Sequence, residues 1–133
     1  MDTPKSVLAE KAKEVLKKAY APYSGFKVGA ALLCSDGSIY TGCNIENASY
    51  GATICAERVA ISKAISEGQR DFIAICIVSD PQNGPCYPCG ICRQVLSEHC
   101  TDDFEIILPD EMGALNTFTL SSLLPFGFSN KNL

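Results

Sequence analysis

The stretches Cys55-Ala56-Glu57-Arg58 and Pro88-Cys89-Gly90-Ile91-Cys92 lie far apart in the sequence, and the fold is expected to bring them together. Cys89 and Cys92 are three residues apart, so on one helical turn their sulfurs face the same way. With Cys55 they offer three thiols. Three protein ligands and an open fourth position are typical of a catalytic zinc, whereas a structural zinc is usually closed by four ligands. The sequence therefore predicts one zinc ion per chain.

Glu57 is predicted to be the acid–base residue of this site. Side chains two residues apart in a helix diverge by roughly 200°. Glu57 and Cys55 can therefore face one metal only if Cys55 lies at the first turn or the cap of its helix. From there Glu57 is expected to take a proton from a zinc-bound water and return it to the substrate. Taken alone, a glutamate in the first helical turn is more often explained by the helix dipole.

Arg58 follows Cys55 by three residues and lies on the same helical face. We expect its guanidinium to hydrogen-bond a ligand sulfur and so draw off part of the negative charge of three thiolates. Without the neighbouring cysteine stretches, an ordinary surface arginine would be the simpler interpretation.

Cys86 leaves an alternative open, because it extends the second stretch to Cys86-x-x-Cys89-x-x-Cys92. With Cys55, this pattern could close a four-cysteine structural zinc site or hold an iron–sulfur cluster. Cys86 precedes Tyr87-Pro88, however, and is expected to lie outside the helix. Four thiolate ligands would also leave Glu57 without a role, so the three-cysteine site is favoured.

Composition narrows the class of protein. The 133 residues suffice for one domain and are too few for two ordinary ones, so residues 1–133 are expected to form a single catalytic domain. The net charge is −4 and no basic cluster exceeds Lys17-Lys18, which disfavours nucleic acid as a partner. Residues 1–20 carry no apolar signal core, and the apolar run 72–78 is far shorter than the ~18 residues of a membrane span. We therefore expect a cytoplasmic protein with reduced cysteines and no membrane association.

The order of predicted elements indicates an α/β fold. Periodicity and turn residues predict helix, hairpin, helix, strand, helix, strand, strand. The hairpin is predicted from strands 26–34 and 39–44 around a two-residue turn at Asp36-Gly37. The cysteine-bearing helices are predicted at 55–67 and 89–99. Because strand–helix–strand units require parallel pairs, we expect three layers: a mixed five-stranded sheet with helices on both faces and the site at its carboxyl edge.

The chain resembles the small, homotetrameric type of cytidine deaminase. Its acid and thiol stretches are similar to the H-x-E and P-C-x-x-C signature of zinc-dependent deaminases, with cysteine in place of histidine. Further stretches that resemble this family cover nearly the whole chain in the expected order: Ala21-Pro22-Tyr23-Ser24-x-Phe26-x-Val28-Gly29-Ala30-Ala31, Gly42-x-Asn44-Ile45-Glu46-Asn47-Ala48-Ser49-Tyr50, Pro88-Cys89-Gly90-x-Cys92-Arg93-Gln94 and Leu123-Leu124-Pro125-x-x-Phe128. Several independent motifs are more specific than one short pattern.

The resemblance implies hydrolytic deamination of cytidine and deoxycytidine to uridine and deoxyuridine with release of ammonia, as in pyrimidine salvage. By family likeness, Cys55, Cys89 and Cys92 bind zinc, a zinc-bound hydroxide attacks C4 of the base, and Glu57 shuttles protons. The residues that it implies for contact with the nucleoside are Phe26, Asn44, Glu46, Ala48, Tyr50, Ala56 and Phe128.

Within that set, Asn44 and Glu46 are expected to hold the ribose hydroxyls, and Phe26 is expected to line the nucleoside pocket. An amide and a carboxylate suit the hydroxyls of a neutral sugar, although ordinary loop polarity would also explain them. The resemblance further implies a homotetramer in which Phe128 and the loop around Tyr50 reach the active sites of neighbouring subunits.

Other functions stay open on the sequence alone. Deaminases of other aminopyrimidines, such as a nucleoside antibiotic or a polynucleotide, share the metal motif. The Asn44-x-Glu46 loop favours a ribonucleoside, and the acidic balance disfavours a polynucleotide. A noncatalytic four-cysteine zinc module is a further alternative, which would not convert cytidine to uridine.

Overall fold

The computed structural model describes residues 3–133, in which α-helices and β-strands follow one another in the order helix, strand, strand, helix, strand, helix, strand, strand, helix. The helices of these residues are α1 (Lys5–Leu16), α2 (Ala56–Ser66), α3 (Gly90–His99) and the short α4 (Leu120–Leu123). The strands are β1 (Lys27–Cys34), β2 (Ile39–Cys43), β3 (Phe72–Asp80), β4 (Glu105–Pro109) and β5 (Leu115–Thr119). Within the same residues, no helix has both the length and the apolar character that crossing a membrane would require.

The five strands form one mixed sheet in the order β2-β1-β3-β4-β5. Strand β1 is antiparallel to both β2 and β3, while β3 and β4 are parallel. Strands β2, β3 and β4 therefore run in the same direction, and their carboxyl ends share one edge of the sheet. Because α2 follows β2 and α3 follows β3, both cysteine-bearing helices begin at this edge, as the sequence predicts.

Two apolar clusters lie on opposite faces of the sheet and give the three predicted layers. On one face, α1 packs Leu8 and Ala12 against the strands. On the other face, α2 and α3 pack Ile61 and Leu96 against a second set of strand residues. Neighbouring residues of β1 and β3 alternate between the two clusters, since strand side chains point to opposite faces in turn. This double burial explains why both strands are nearly continuous apolar runs.

The hairpin between β1 and β2 has a longer turn than predicted. Cys34 N–H donates to the Ser38 carbonyl at 2.9 Å, so three residues, 35–37, form the loop instead of two. Gly37 takes the left-handed position with φ +91°. A glycine at the third position is what a three-residue loop requires. The Asp36-Gly37 pair fits both loop lengths. The sequence therefore predicted the position of the turn correctly and was wrong only about the number of residues in it.

Gly42 lets the helix that carries Glu57 lie against the edge strand. A Cβ at position 42 would lie 2.5 Å from the Ala56 carbonyl oxygen and 2.6 Å from the Ala60 nitrogen. Contacts this short are excluded by sterics, so only glycine allows the first turns of α2 to approach β2 this closely. The position of Glu57 thus depends on the absence of a side chain at Gly42 of β2.

Candidate metal centre and acid–base site

Three cysteine sulfurs meet where α2 and α3 begin. Cys55 is the N-cap residue of α2, Cys89 is the N-cap residue of α3, and Cys92 lies in the first turn of α3. The Sγ atoms of Cys55 and Cys89 are 3.9 Å apart, and those of Cys89 and Cys92 are 3.5 Å apart. All three lie within 4.8 Å of one another. The two sequence stretches therefore meet, and Cys55 occupies the cap position that Glu57 requires.

The spacing of the sulfurs fits a zinc ion. Tetrahedral zinc with Zn–S distances of about 2.3 Å places its sulfur ligands ~3.8 Å apart. Both measured sulfur pairs are close to that value. Three thiolates leave one position of a tetrahedron for another ligand, and the free N–H groups at two helix N-termini stabilise negative charge nearby. The donor set and its surroundings therefore suit a zinc that keeps an open position.

Cys86 is not part of this group. Among the described residues, the cluster of potential ligand atoms contains Cys55, Cys89 and Cys92 only. Cys86 instead packs, partly buried, against the core, and burial followed by the charge of Glu57 raises its pKa to about 11. The four-cysteine arrangement is not formed.

Cys55 is held in its anionic form by its neighbours. A hydrogen bond from Cys92, then bonds from Arg58 and Cys89, lower the pKa of Cys55 to about 5 against the effect of burial. The same pairing with Cys55, together with burial, raises the pKa of Cys92. Arg58 Nη2 lies 3.5 Å from Cys55 Sγ and 3.4 Å from the Thr53 carbonyl oxygen. The guanidinium thus places positive charge beside a candidate ligand.

Glu57 is a buried acid beside the sulfurs. Only 5% of its surface is exposed. Burial is the main cause that raises its pKa to about 7, with the negative charge of Cys55 adding to it; its own backbone N–H and the Cys92 thiol oppose the shift. A carboxyl group whose pKa lies near neutrality can both accept and donate a proton at physiological pH. The structure therefore places a buried carboxyl group with a raised pKa next to the candidate metal ligands.

Glu46 is the second carboxylate near the site, and its surroundings favour the charged form, whereas those of Glu57 disfavour it. Its Oε1 accepts hydrogen bonds from the Tyr23 and Ser24 backbone N–H groups at 2.9 and 3.1 Å, and its Oε2 accepts one from the Ser24 hydroxyl. The Ser24 hydroxyl, followed by the two backbone donors, lowers the pKa of Glu46 despite some desolvation. Glu46 is therefore an anion at neutral pH.

Glu46 lines a pocket of about 350 Å³ together with Tyr23, Ser24, Asn47, Tyr50 and Thr53. The rings of Tyr23 and Tyr50 meet edge to face with centroids 6.2 Å apart. Small-molecule sites commonly measure ~300–1,000 Å³ and combine aromatic walls with a few polar groups. The pocket thus has the size and lining expected for a small polar ligand.

Backbone pairing holds the Glu46 loop beside the cysteine cluster. Ile45 and Ile54 exchange two backbone hydrogen bonds of 2.9 and 3.0 Å, and the Asn47 N–H donates to Thr53 Oγ1 at 3.1 Å. Cys55 directly follows Ile54 in the chain. The candidate sugar-binding loop and the first candidate metal ligand are therefore parts of one hydrogen-bonded unit.

Asn44 is buried at the end of β2 and supports the start of β1. Its Oδ1 accepts from the Val28 N–H at 2.9 Å, and its Nδ2 donates to the Phe26 carbonyl at 2.8 Å. A carboxamide has two donor hydrogens and two acceptor lone pairs, so one of each is left for a ligand. The Phe26 ring is 40% exposed. Contact of either residue with a nucleoside stays a prediction.

The remaining residues implied by the resemblance are less closely grouped. Ala56 is buried in the first turn of α2, and Ala48 is exposed in the loop between Glu46 and Tyr50. Phe128 lies on the C-terminal tail, 60% exposed, and its carbonyl accepts a hydrogen bond from Gln94 Nε2 at 2.8 Å. Neither Ala48 nor Phe128 lines the pocket that contains Glu46.

No individual role was predicted for Tyr23, Ser24 or Thr53, which hydrogen-bond the loop that carries Glu46. Ser24 and Glu46 lie 22 positions apart. A serine in a Pro- and Gly-containing turn usually bonds its own backbone. The sequence therefore carries no local signal that its partner is a distant carboxylate.

A larger cavity lies elsewhere and is the weaker candidate. It measures about 590 Å³ between the end of α3, α4 and the C-terminal tail. None of the residues implied in catalysis or substrate contact lines it. Its one cysteine, Cys100, has its pKa raised to about 12 by burial, which makes the thiol inert. The smaller pocket is the better candidate, because Glu46 and Tyr50, both implied in substrate contact, line it.

Comparisons with known proteins agree on one family. Residues 2–107 match the family model described as the cytidine and deoxycytidylate deaminase zinc-binding region. Cytidine deaminase of Sporosarcina psychrophila is 47% identical over 133 residues, covering 100% of this chain and 96% of that protein. That of Halalkalibacterium halodurans is 48% identical over 129 residues, covering 97% of each. The crystal structure of cytidine deaminase from Burkholderia pseudomallei superimposes with a TM-score of 0.90 at 45% identity, over 95% of this chain and 100% of that one.

Proposed function

Because this chain belongs to the cytidine and deoxycytidylate deaminase family, we propose that it deaminates cytidine and deoxycytidine hydrolytically, giving uridine and deoxyuridine and releasing ammonia. The main support for the proposal is that three sulfurs spaced for zinc lie beside a buried carboxyl group whose pKa is about 7. Residues 1–133 act as a single catalytic domain in this proposal.

Cys55, Cys89 and Cys92 would hold the zinc, whose Lewis acidity activates water as a nucleophile at neutral pH. Three thiolates carry more negative charge than the ion neutralises, and this charge opposes loss of a proton from water. The helix N-termini and the guanidinium of Arg58, 3.5 Å from Cys55 Sγ, offset part of that charge. Arg58 is therefore proposed as a positioning residue for the ligand set.

Glu57 carries the protons of the reaction in this proposal. The water oxygen forms a bond to C4 of the pyrimidine, and the bond between C4 and the amino nitrogen breaks. Glu57 takes one proton from the water and gives it to ring N3. It then takes the remaining hydroxyl proton and gives it to the amino group, which leaves as ammonia. Burial keeps the carboxyl near neutral pKa, so both the transfer to Glu57 and the transfer from it are feasible.

Glu46 and Asn44 are proposed to bind the ribose. Glu46 is an anion that already accepts three hydrogen bonds, and a sugar hydroxyl would donate a fourth. Asn44 retains one donor and one acceptor. Phe26, Tyr50, Ala48 and Ala56 would complete the walls around the nucleoside.

We further propose a homotetramer with sites completed by neighbouring subunits. Tyr50 and Phe128 are 77% and 60% exposed, and the Phe126 ring is fully exposed. Exposed aromatic groups of this size are typical of contact surfaces. Light scattering should give about four chains per particle, a closed symmetric assembly. Phe128→Ala should weaken nucleoside binding and leave zinc content unchanged; a fully active monomer at dilute concentration would contradict the assembly.

A cytoplasmic location and a role in pyrimidine salvage complete the proposal. All eight cysteines of the chain are free, and thiolate ligands need a reducing compartment to stay reduced. The substrate is a free nucleoside rather than a polymer, in keeping with the net charge of −4.

The deciding experiment combines a spectroscopic assay with metal analysis. Incubation with cytidine should shift the ultraviolet spectrum to that of uridine, with about one zinc per chain. Cys89→Ala should lose the metal, whereas Cys86→Ala, the matched control three residues away, should keep it. Full zinc content without conversion of cytidine would favour a noncatalytic module or another aminopyrimidine substrate. Equal zinc loss in both variants would favour four thiolate ligands.

A further inference from the structure

Ser24 contacts both oxygens of Glu46. Its backbone N–H donates to Oε1 at 3.1 Å, and its hydroxyl donates to Oε2. The Tyr23 N–H adds a third bond, to Oε1 at 2.9 Å. A carboxylate that accepts hydrogen bonds from one residue at both oxygens cannot rotate freely about its Cγ–Cδ bond.

The direction of the Ser24 hydroxyl follows from its other partner. The Phe26 N–H lies 3.0 Å from Ser24 Oγ and can only donate. The hydroxyl oxygen must therefore accept there, and its single proton is left for Glu46 Oε2. The only proton of the hydroxyl is therefore committed to Glu46, and its oxygen accepts one bond from the Phe26 N–H.

The Glu46 backbone is held by other contacts. Its N–H donates to the Tyr20 carbonyl at 2.8 Å, and the Tyr20 N–H donates to the Asn44 carbonyl at 3.0 Å. The neighbouring Ile45 is paired with Ile54. Removing the Ser24 hydroxyl should therefore leave the Glu46 backbone in place, while it frees Glu46 Oε2 and the Phe26 N–H.

We infer that Ser24 is a positioning residue for sugar recognition: it orients Glu46 so that one lone pair of Oε2 faces the pocket and accepts a hydrogen bond from a ribose hydroxyl. A carboxylate offers about four acceptor positions. Three are taken by Tyr23 and Ser24, two on Oε1 and one on Oε2. This inference rests on the proposed function and extends it, because Ser24 then contributes to discrimination between nucleosides with and without sugar hydroxyls.

The test compares kcat/KM for cytidine and for 2′,3′-dideoxycytidine. Ser24→Ala should lower the value for cytidine about tenfold, as expected for weakening one bond to a charged group, and change the dideoxy value less than about twofold. Ser24→Thr keeps the hydroxyl and should recover cytidine activity to within about threefold of wild type. Ser24→Cys, nearly the same size but a weak donor, should fall between alanine and wild type.

Ser35→Ala is the matched control. Ser35 is also exposed, and its hydroxyl donates to the Asp71 carbonyl at 3.1 Å, away from Glu46, so neither substrate should be affected. Equal losses on both substrates in the Ser24 variants would overturn the inference and indicate a general structural role, as would unchanged cytidine activity. A wild-type protein that deaminates neither substrate would overturn the proposed function, and this inference with it.

Discussion

Glu57 and Glu46 are the same side chain in two opposite environments. Glu57 lies in the first turn of α2, 5% exposed, beside the cysteine sulfurs, and burial raises its pKa to about 7. Glu46 lies on a loop, accepts three hydrogen bonds, and has its pKa lowered by them. Desolvation disfavours the charged carboxylate, whereas donated hydrogen bonds favour it.

The difference agrees with the separate roles proposed for the two acids. A group that exchanges protons works best when its pKa lies near the ambient pH. A group that holds a neutral hydroxyl works best as a permanent acceptor. Two carboxylates whose environments move their pKa values apart are a common way to separate such roles.

The largest effect is expected at Glu57. Glu57→Gln keeps the shape of the side chain but cannot take a proton, so kcat should fall by at least ~10⁴-fold, the upper end for general acid–base catalysis. Steady-state kinetics and metal analysis should show this loss at unchanged zinc content. Glu14→Gln, on the exposed face of α1, is the control and should be fully active. Activity of Glu57→Gln within tenfold of wild type would exclude the proton-carrier role.

A smaller and selective effect is expected at Glu46. Glu46→Ala removes the acceptor for a sugar hydroxyl, so kcat/KM for cytidine should fall about 10- to 100-fold, the range for a lost bond to a charged group. The value for a dideoxy analogue should change much less. Measurement of both substrates on the same preparation decides the matter: equal losses would place Glu46 outside the sugar contact.

The smallest effect concerns pH. Because hydrogen bonds from Ser24 and Tyr23 lower the pKa of Glu46, this group stays ionised above the ordinary glutamate value of about 4.3. Sugar affinity should then be lost only as the pH falls through that lowered pKa. The ratio of kcat/KM for cytidine to kcat/KM for the dideoxy analogue, in which the titration of Glu57 cancels, should change less than about twofold from about pH 8 to about pH 5. A steep fall of this ratio within the range would show that Glu46 is not a fixed anion.

Much of the fold was predictable because its signals are local. The apolar runs of β1 and β3, the helical periodicity of α1 and the cysteine spacing of α3 depend on residues a few positions apart. These signals led to the three-layer mixed sheet that the structure confirms. The hairpin length was missed, since Asp36-Gly37 is compatible with turns of either size.

The site was predictable in its chemistry and only partly in its arrangement. Three thiols and Glu57 could be chosen by residue type, and the helix cap at Cys55 followed from the need for Glu57 to face the same ion. Ser24 could not be given a role, because its hydroxyl bonds a carboxylate 22 positions away. Nothing in a turn sequence indicates so distant a partner.

By itself, the sequence determined which elements form, in which order, and which residue types could bind zinc and carry protons. Only the tertiary structure decided the sulfur separations of 3.5 and 3.9 Å and the opposite pKa shifts of Glu57 and Glu46. The physical reason is the range of the forces concerned. Helix and strand formation depend mainly on neighbours along the chain, whereas burial and hydrogen bonding depend on groups that only folding brings together.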